Sequence, residues 1–295
     1  MEKIDSYNIL SEGVEVDVII EKDESGISYK LLLPEVSKAT NVLLVELKNK
    51  LITEATITGF EATNPKAITL VKQRFRENAK KIVESIMPGL KQNVKDFLIG
   101  RLMHEMLGLS DIEFLLDDDN LEEIVINTSI EPVRVYHKRY GWLKTNIIIE
   151  SEAQIINYAN IIARRVGRQI TTLTPLLDAH LITGDRSNAI LYPISHKGNT
   201  ITIRKFARDP WTITDFIKNN TCSAKIFALI WMAIQYEMNI LFSGGTGSGK
   251  TSMLNVCMPF IPPNHRIISI EDTRELQLPK FLYWAPLTVR PPNPE

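Results

Sequence analysis

The apolar positions change period several times along the chain. Val14, Val16 and Val18 alternate with Glu15 and Asp17, and a second apolar stretch from Ile27 to Leu33 follows the turn residues Asp23-Glu24-Ser25-Gly26. A period of two on both sides of a glycine-bearing turn predicts a β-hairpin. From Ala39 to Lys50 and again from Lys66 to Met87 the apolar residues recur at helical spacing, Pro88-Gly89 stops the second run, and Asn93 to Leu107 resumes it. Three helices are expected there. Beyond Leu121 the pattern predicts strands at Glu123 to Ile126, Val133 to His137 and Leu143 to Ile149, with Arg139 to Trp142 as a turn. Ser151 with Gln154 has the spacing of a capping box, opening a helix to about Val166. Strands around Ala189 to Tyr192 and Thr200 to Lys205, a short helix from Ile213 to Lys218 and a longer one from Ser223 to Tyr236 follow.

The expected class is α/β, in five segments: a small hairpin and helix module over 1–64, a helical segment over 65–112, an α/β domain over 113–206, a linker over 207–222, and a nucleotide-binding region over 223–295. With 295 residues and 44% hydrophobic content the chain can bury more than one core. A net charge of −1 argues against non-specific attraction of the whole molecule to nucleic acid or anionic lipid. The uneven charge, basic over Lys66 to Arg101 and acidic at Asp117, Asp118, Asp119, Glu122 and Glu123, reads as solvated faces. Cys222 and Cys257 have neither metal-ligand spacing nor a disulfide framework and read as reduced apolar side chains of a cytosolic protein. No signal peptide opens the sequence, and Ile226 to Phe242, the most apolar stretch, is interrupted by Gln235, Glu237 and Asn239 and is too short and polar to span a bilayer.

The chemistry is concentrated near residue 250. Gly244-Gly245-Thr246-Gly247-Ser248-Gly249-Lys250-Thr251 follows the apolar run Ile240 to Phe242, read as a strand, and precedes Ser252 to Met258 at helical spacing. This is the pattern G-x-x-x-x-G-K-[ST] in a strand-to-helix setting. Its glycines let backbone N–H groups surround the α/β-phosphates of a nucleotide. Lys250 reaches the β/γ-phosphates, Thr251 offers its hydroxyl to Mg²⁺, and the helix that Ser252 continues adds the positive end of its dipole. ATP with Mg²⁺ is the expected ligand. A second strand is expected over Arg266 to Ile270, buried and rich in isoleucine, ending in Glu271-Asp272-Thr273-Arg274-Glu275. Carboxylates at the carboxyl end of such a strand lie where open α/β sheets bind ligands, suited to orienting water or holding Mg²⁺ through its waters.

Gly244 to Thr251 together with Ile268-Ser269-Ile270-Glu271-Asp272-Thr273-Arg274-Glu275-Leu276 resembles the Walker A and aspartate-box pair of the type II/type IV secretion ATPases. Leu121 to Asn127, Tyr140-Gly141-Trp142-Leu143, Leu177-Asp178-Ala179, Gly184-Asp185-Arg186 and Ile201-Thr202-Ile203-Arg204-Lys205-Phe206 resemble the N-domain signatures of the same family, so the likeness runs from about Glu113 to Glu295. The wording of Asp272 to Glu275 and of Arg290-Pro291-Pro292-Asn293 is most similar to the archaeal branch. The resemblance implies an N-terminal α+β domain followed by the first part of a RecA-like nucleotide-binding domain, in a ring of copies, usually six, that turns ATP hydrolysis into movement. It also implies a polytopic membrane platform protein as partner, no nucleic acid, and a cytoplasmic place at the inner face of the cell membrane. By matching positions, Glu275 activates water, with Glu271 second, while Arg186, Arg204 and Arg208 bring charge to the γ-phosphate, a task suited to an always-ionised, bidentate guanidinium.

The sequence departs from that family in one respect. After Glu275 the only acidic residue is Glu295, and His265 precedes the acidic box, so the family's second acidic motif and its histidine motif are expected beyond residue 295. On this reading the chain is truncated, hydrolyses ATP poorly or not at all, and exposes an unpaired strand edge and apolar surface near its end. Two other readings stay open: a nucleic-acid translocase on the same core, and an assembly module in which residues 1–207, with the basic helices Lys66 to Arg101, bind a platform protein beside a vestigial nucleotide site.

Overall fold

A computed structural model describes residues 2–24, 26–34, 38–54, 65–181, 183–206, 210–245, 247–272 and 274–289. The chain divides into two compact units, Met1–Lys205 and Phe206–Glu295. The expected segments 1–64, 65–112 and 113–206 all contribute to the first.

That first unit is built on a nine-stranded sheet. β1 (Glu2–Ser11), β2 (Val14–Asp23) and β3 (Gly26–Leu32) form a meander, followed by the helices α1 (Lys38–Glu54), α2 (Pro65–Ile86), α3 (Gln92–Leu107) and α4 (Ile112–Asp117). β4 (Leu121–Ile126), β5 (Arg134–His137), β6 (Gly141–Thr145), α5 (Glu152–Arg165), β7 (Leu176–His180), β8 (Arg186–Ile190) and β9 (Thr200–Arg204) complete it, in the spatial order β1-β2-β3-β6-β5-β4-β9-β8-β7. The β2–β3 hairpin expected around Asp23 to Gly26 is present, with Asp23 opposite Gly26. β1 is an addition: its burial alternates from Asp5 to Ser11, but Asp5 and Ser11 are polar on the inward side and Leu10 apolar on the outward one, so no alternation in the letters announces it, yet it pairs with β2 from Glu2 to Ser11. Its turn, Glu12-Gly13, has φ of 49° and 85°, and two left-handed residues match the twist of a two-residue hairpin.

The meander enters the larger sheet through a narrow seam. β3 pairs in parallel with β6 only at Ser28↔Lys144 and Tyr29↔Thr145. Just beyond, the Asn146 side chain continues the ladder, its Oδ1 accepting the Leu31 N–H at 2.8 Å and its Nδ2 donating to the Leu31 carbonyl at 2.9 Å. An amide side chain thus substitutes for a peptide group where the strands part.

Val18, Ile20, Tyr29, Phe114, Leu115, Ile124, Ile155 and Ile203 are among the buried residues of one core, and Leu47, Leu51, Phe75, Ala79 and Leu102 belong to a second, between α1, α2 and α3. Each large apolar side chain removed from water contributes about 1.5–3 kcal/mol. α3 lies directly on the β1–β2 turn: a Cβ on Gly100 would meet Val14 Cγ2 at 2.4 Å and the Glu12 carbonyl oxygen at 2.9 Å.

Three local expectations need correction. The acidic run is solvated only in part: Asp119 and Glu122 are exposed, but Asp118 is 2% exposed and accepts the hydroxyls of Tyr7 at 2.7 Å and Tyr29 at 2.9 Å, while Lys205 Nζ donates to the Leu115 and Asp118 carbonyls. Burial, then the Asp118 charge, push both tyrosines well above the usual phenol range. The basic stretch is partly neutralised, with Lys72 and Arg76 on Glu12 and Lys95 on Glu84. The capping box is half formed: Ser151 Oγ accepts the Gln154 N–H at 3.3 Å, but Gln154 Oε1 takes the Glu150 N–H, one residue earlier than a reciprocal box requires. Beside it Glu152 ties two loops to α5, accepting from the Thr128 hydroxyl, the Ser129 and Asn199 N–H groups and the Asn199 amide. Burial raises the Glu152 carboxyl, but the Asn199 and Ser129 hydrogen bonds outweigh it and leave it at about 2.

The second unit contains α6 (Ile213–Lys218), α7 (Ala224–Gln235), α8 (Lys250–Cys257), a 3-10 turn (Met258–Phe260), and the parallel strands β10 (Arg266–Glu271) and β11 (Tyr283–Thr288), in register from Arg266↔Tyr283 to Glu271↔Thr288. α6 and α7 start as expected, at the Thr212 capping box and the Ser223 cap. A small core holds Phe216, Cys222, Phe227, Val256 and Cys257, and burial, with Cys222 close by, pushes the Cys257 thiol up to about 11. The strand expected at Ile240 to Phe242 pairs with no strand among the described residues, and β10, expected to be buried, leaves Ile268 53% and Ile270 71% exposed. A parallel strand is covered on both faces only when strands flank it and helices lie above and below, which one paired strand does not supply. Among the described residues no helix is long and apolar enough to cross a membrane.

Candidate functional site

Gly244 to Lys250 form an exposed loop whose described glycines serve different ends. Gly247 and Gly249 have φ of 73° and 83°, a region that penalises any side chain. At Gly244 the restriction is space, since a Cβ would stand 2.6 Å from Ser248 Oγ. The loop is tied to one carbonyl: the Gly245 oxygen accepts from Ser248 Oγ at 2.9 Å and from Lys250 Nζ at 2.5 Å. Lys250 therefore folds back over the loop it closes. Gly249 caps α8, and its carbonyl accepts the Met253 N–H at 2.8 Å, so the N–H groups of Lys250, Thr251 and Ser252 belong to the open first turn. Gly245, Gly247 and Gly249 have open space where a Cβ would stand, and the loop is not buried beneath the protein. A glycine loop, an ammonium and a helix N-terminus together fit a polyphosphate, and the Thr251 hydroxyl fits its Mg²⁺. Thr246 lies outside the described residues.

At the end of β10, Glu271 turns inward. Its Oε1 accepts the Ser269 hydroxyl at 3.0 Å and its Oε2 the N–H groups of Glu275 at 2.8 Å and Leu276 at 2.9 Å. The Trp284 indole N–H donates to Ser269 Oγ at 2.9 Å. The Gln277 N–H donates to Asn255 Oδ1 at 3.0 Å, which fastens the acidic loop to α8 directly after the phosphate loop. Asp272 and Arg274 are exposed and Glu275 is half-buried; Thr273 lies outside the described residues.

The arginines belong to the first unit. Arg186 on β8 and Arg204 on β9 are cross-strand partners, and Arg204 also faces Glu123 of β4. Arg186 forks onto Asp178, Nε to Oδ1 at 3.1 Å and Nη2 to Oδ2 at 2.8 Å, and this guanidinium holds the Asp178 carboxyl below its usual range. Arg204 is exposed and has no ion-pair partner among the described residues. Arg208 lies outside them. Sequence reasoning missed Asp178 as the Arg186 partner, and it missed Ser269, Trp284 and Asn255 as supports of the acidic loop. The one available signal was that Ser269 and Glu271, two apart on a strand, share a face.

A family model described as Type II/IV secretion system protein matches residues 174–283. An uncharacterized protein of Methanocaldococcus jannaschii is 34% identical over 302 residues, covering 99% of this chain and 39% of that protein. The type IV secretion system protein PtlH of Bordetella pertussis is 32% identical over 189 residues, 55% of this chain and 54% of its own. The crystal structure of the VirB11 ATPase from the Brucella suis type IV secretion system, in complex with sulphate, aligns at 25% identity over 59% of this chain and 58% of its own, with a TM-score of 0.31. The chain thus spans well under half of its Methanocaldococcus relative and about half of PtlH. The segment that carries the glycine loop and the acidic box falls within the part of the chain, residues 174–283, that matches the type II/IV secretion system protein family.

Proposed function

We propose that the chain is the ATP-binding part of a ring-forming motor ATPase, one that powers assembly of a type IV pilus-like filament or archaellum, or type II/IV protein secretion. The observation that carries this reading is the exposed loop Gly244 to Lys250, with two left-handed glycines, opening into the first turn of α8. Backbone N–H groups of the loop and of Lys250, Thr251 and Ser252 bind the phosphates, and Lys250 exchanges the Gly245 carbonyl for phosphate oxygens. The Thr251 hydroxyl would hold the Mg²⁺ of the bound nucleotide, which would supply positive charge to its phosphates. Glu275 orients the attacking water and receives its proton. Arg204, Arg186 and Arg208 supply positive charge to the γ-phosphate, Arg186 by leaving Asp178. The partners on this reading are further copies of the chain and a polytopic membrane platform protein at the cytoplasmic face of the membrane.

The test is titration of the chain with a fluorescent ATP analogue. Wild type binds with Mg²⁺, and Lys250→Ala loses at least about thirtyfold in affinity, the worth of one charged hydrogen bond set, about 2 kcal/mol. Equal binding by the variant refutes the nucleotide site.

A further inference from the structure

The two glutamates of the acidic box do different work. Both oxygens of Glu271 are engaged inside the protein, one by the Ser269 hydroxyl and the other by two successive backbone N–H groups, those of Glu275 and Leu276. A carboxylate that accepts three hydrogen bonds from its own chain has little capacity left to grip a water molecule. Glu275 makes no such side-chain bond among the described residues; its N–H, not its carboxylate, is what Glu271 holds.

Behind Glu271 stands a relay built by strand geometry. Ser269 and Glu271 lie two apart on β10, and Trp284 on β11 sits opposite Ile267, the preceding residue of that same face. Ser269 is buried, and it both donates to Glu271 and accepts from the Trp284 indole, so each member of the line Trp284, Ser269, Glu271 fixes the next. The Arg274 guanidinium lies 5.5 Å from the centre of the Trp284 ring, bringing a residue of the loop back onto the indole that begins the line. Glu271, Arg274, Glu275 and Leu276 are thereby each tied to the strand pair or to one another.

We infer that Glu271 is a positioning residue. Trp284 and Ser269 orient its carboxylate, the carboxylate sets the backbone at Glu275 and Leu276, and Glu275 is the side chain of the pair left to act on water. The inference rests on the reading of this unit as an ATP site, and the experiment separates the two. In the 295-residue chain, amide hydrogen exchange at Glu275 and Leu276 is compared between wild type, Glu271→Ala, Ser269→Ala and Trp284→Phe without nucleotide. Exchange at both amides rises about a hundredfold in Glu271→Ala, and about tenfold or less in the two relay variants, as buried hydrogen bonds of ordinary strength are lost or loosened. ATP affinity and single-turnover hydrolysis are then measured with Mg²⁺. Glu271→Ala keeps its affinity within about twofold and hydrolyses about tenfold more slowly. Glu271→Gln, whose amide oxygen still accepts, recovers most of that rate, whereas Glu275→Gln loses about a hundredfold, the usual contribution of a general base.

Unchanged exchange at Glu275 and Leu276 in Glu271→Ala overturns the inference, as does a Glu271→Gln defect equal to that of Glu275→Gln. Absence of ATP binding in wild type defeats the reading of the unit as a nucleotide site, while the exchange arm still decides whether Glu271 orders the loop.

Discussion

The sheet of the first unit and the strand pair of the second are made from the same kind of residue and end in opposite states. Ile124 and Ile203 are completely buried, flanked by strands on both sides and covered by α4 or α5, whereas Ile268 and Ile270 of β10 are mostly exposed beside a single partner. A β-branched run states a preference for a pleated surface; neighbours decide whether that surface is dry. The glycine loop tells the complementary story. Its shape depends on two left-handed glycines, a lysine bent onto Gly245 and one helix turn, all between Gly245 and Met253, so the second unit carries a locally determined loop on a thinly packed support.

Substitutions in the two regions sharpen that contrast. Ile124→Ala opens a cavity where the sheet meets α4 and destabilises the first unit by about 3–4 kcal/mol, while Ile270→Ala stays within about 0.5 kcal/mol; urea unfolding followed by circular dichroism reads both. A large effect at Ile270 would show that its face is covered in solution. Asp118→Ala leaves the hydroxyls of Tyr7 and Tyr29 without their acceptor and lowers stability by about 2–3 kcal/mol, and because the tyrosines lie on β1 and β3 the first amides to lose protection are those of the meander. Uniform loss over the whole sheet would mean that the meander is no separable layer.

The smallest effect depends on pH. Glu152 has a folded value near 2 against an ordinary 4.5. The depressed value means that its contribution is complete above about 4.5 and is lost as the pH falls toward about 2. Glu152→Gln therefore destabilises the first unit by about 1 kcal/mol at neutral pH, discounted for partial exposure, and the difference from wild type narrows steadily on acidification. A difference independent of pH contradicts the assigned hydrogen bonds.

Much of this was readable in advance, for identifiable reasons. α2 buries Phe75, Ala79, Ile82 and Val83 on one face, a helical spacing visible in the letters, and the glycine loop declares itself because its conformation constrains residue types directly. β1 stayed hidden because an edge strand gains its order from the ladder with β2, and its outward residues are free to be polar. The acidic run misled because three aspartates in a row look solvated until two tyrosines from distant strands converge on the middle one. At the site, residue types named the candidate groups, and the resemblance ranked Glu275 ahead of Glu271, but the letters did not show the hydrogen bonds from Ser269 and the backbone that engage the Glu271 carboxylate, or the Trp284 indole behind Ser269.

The seam at Asn146 has a mechanical consequence. Because that amide completes the ladder, an unbroken run of hydrogen bonds crosses the first unit from its N-terminal margin to the strands bearing Arg204 and Arg186, a width of roughly 30–35 Å at the spacing of paired strands. Such a plate resists shear in its own plane. A push received at one margin arrives at the arginines as displacement rather than being absorbed on the way.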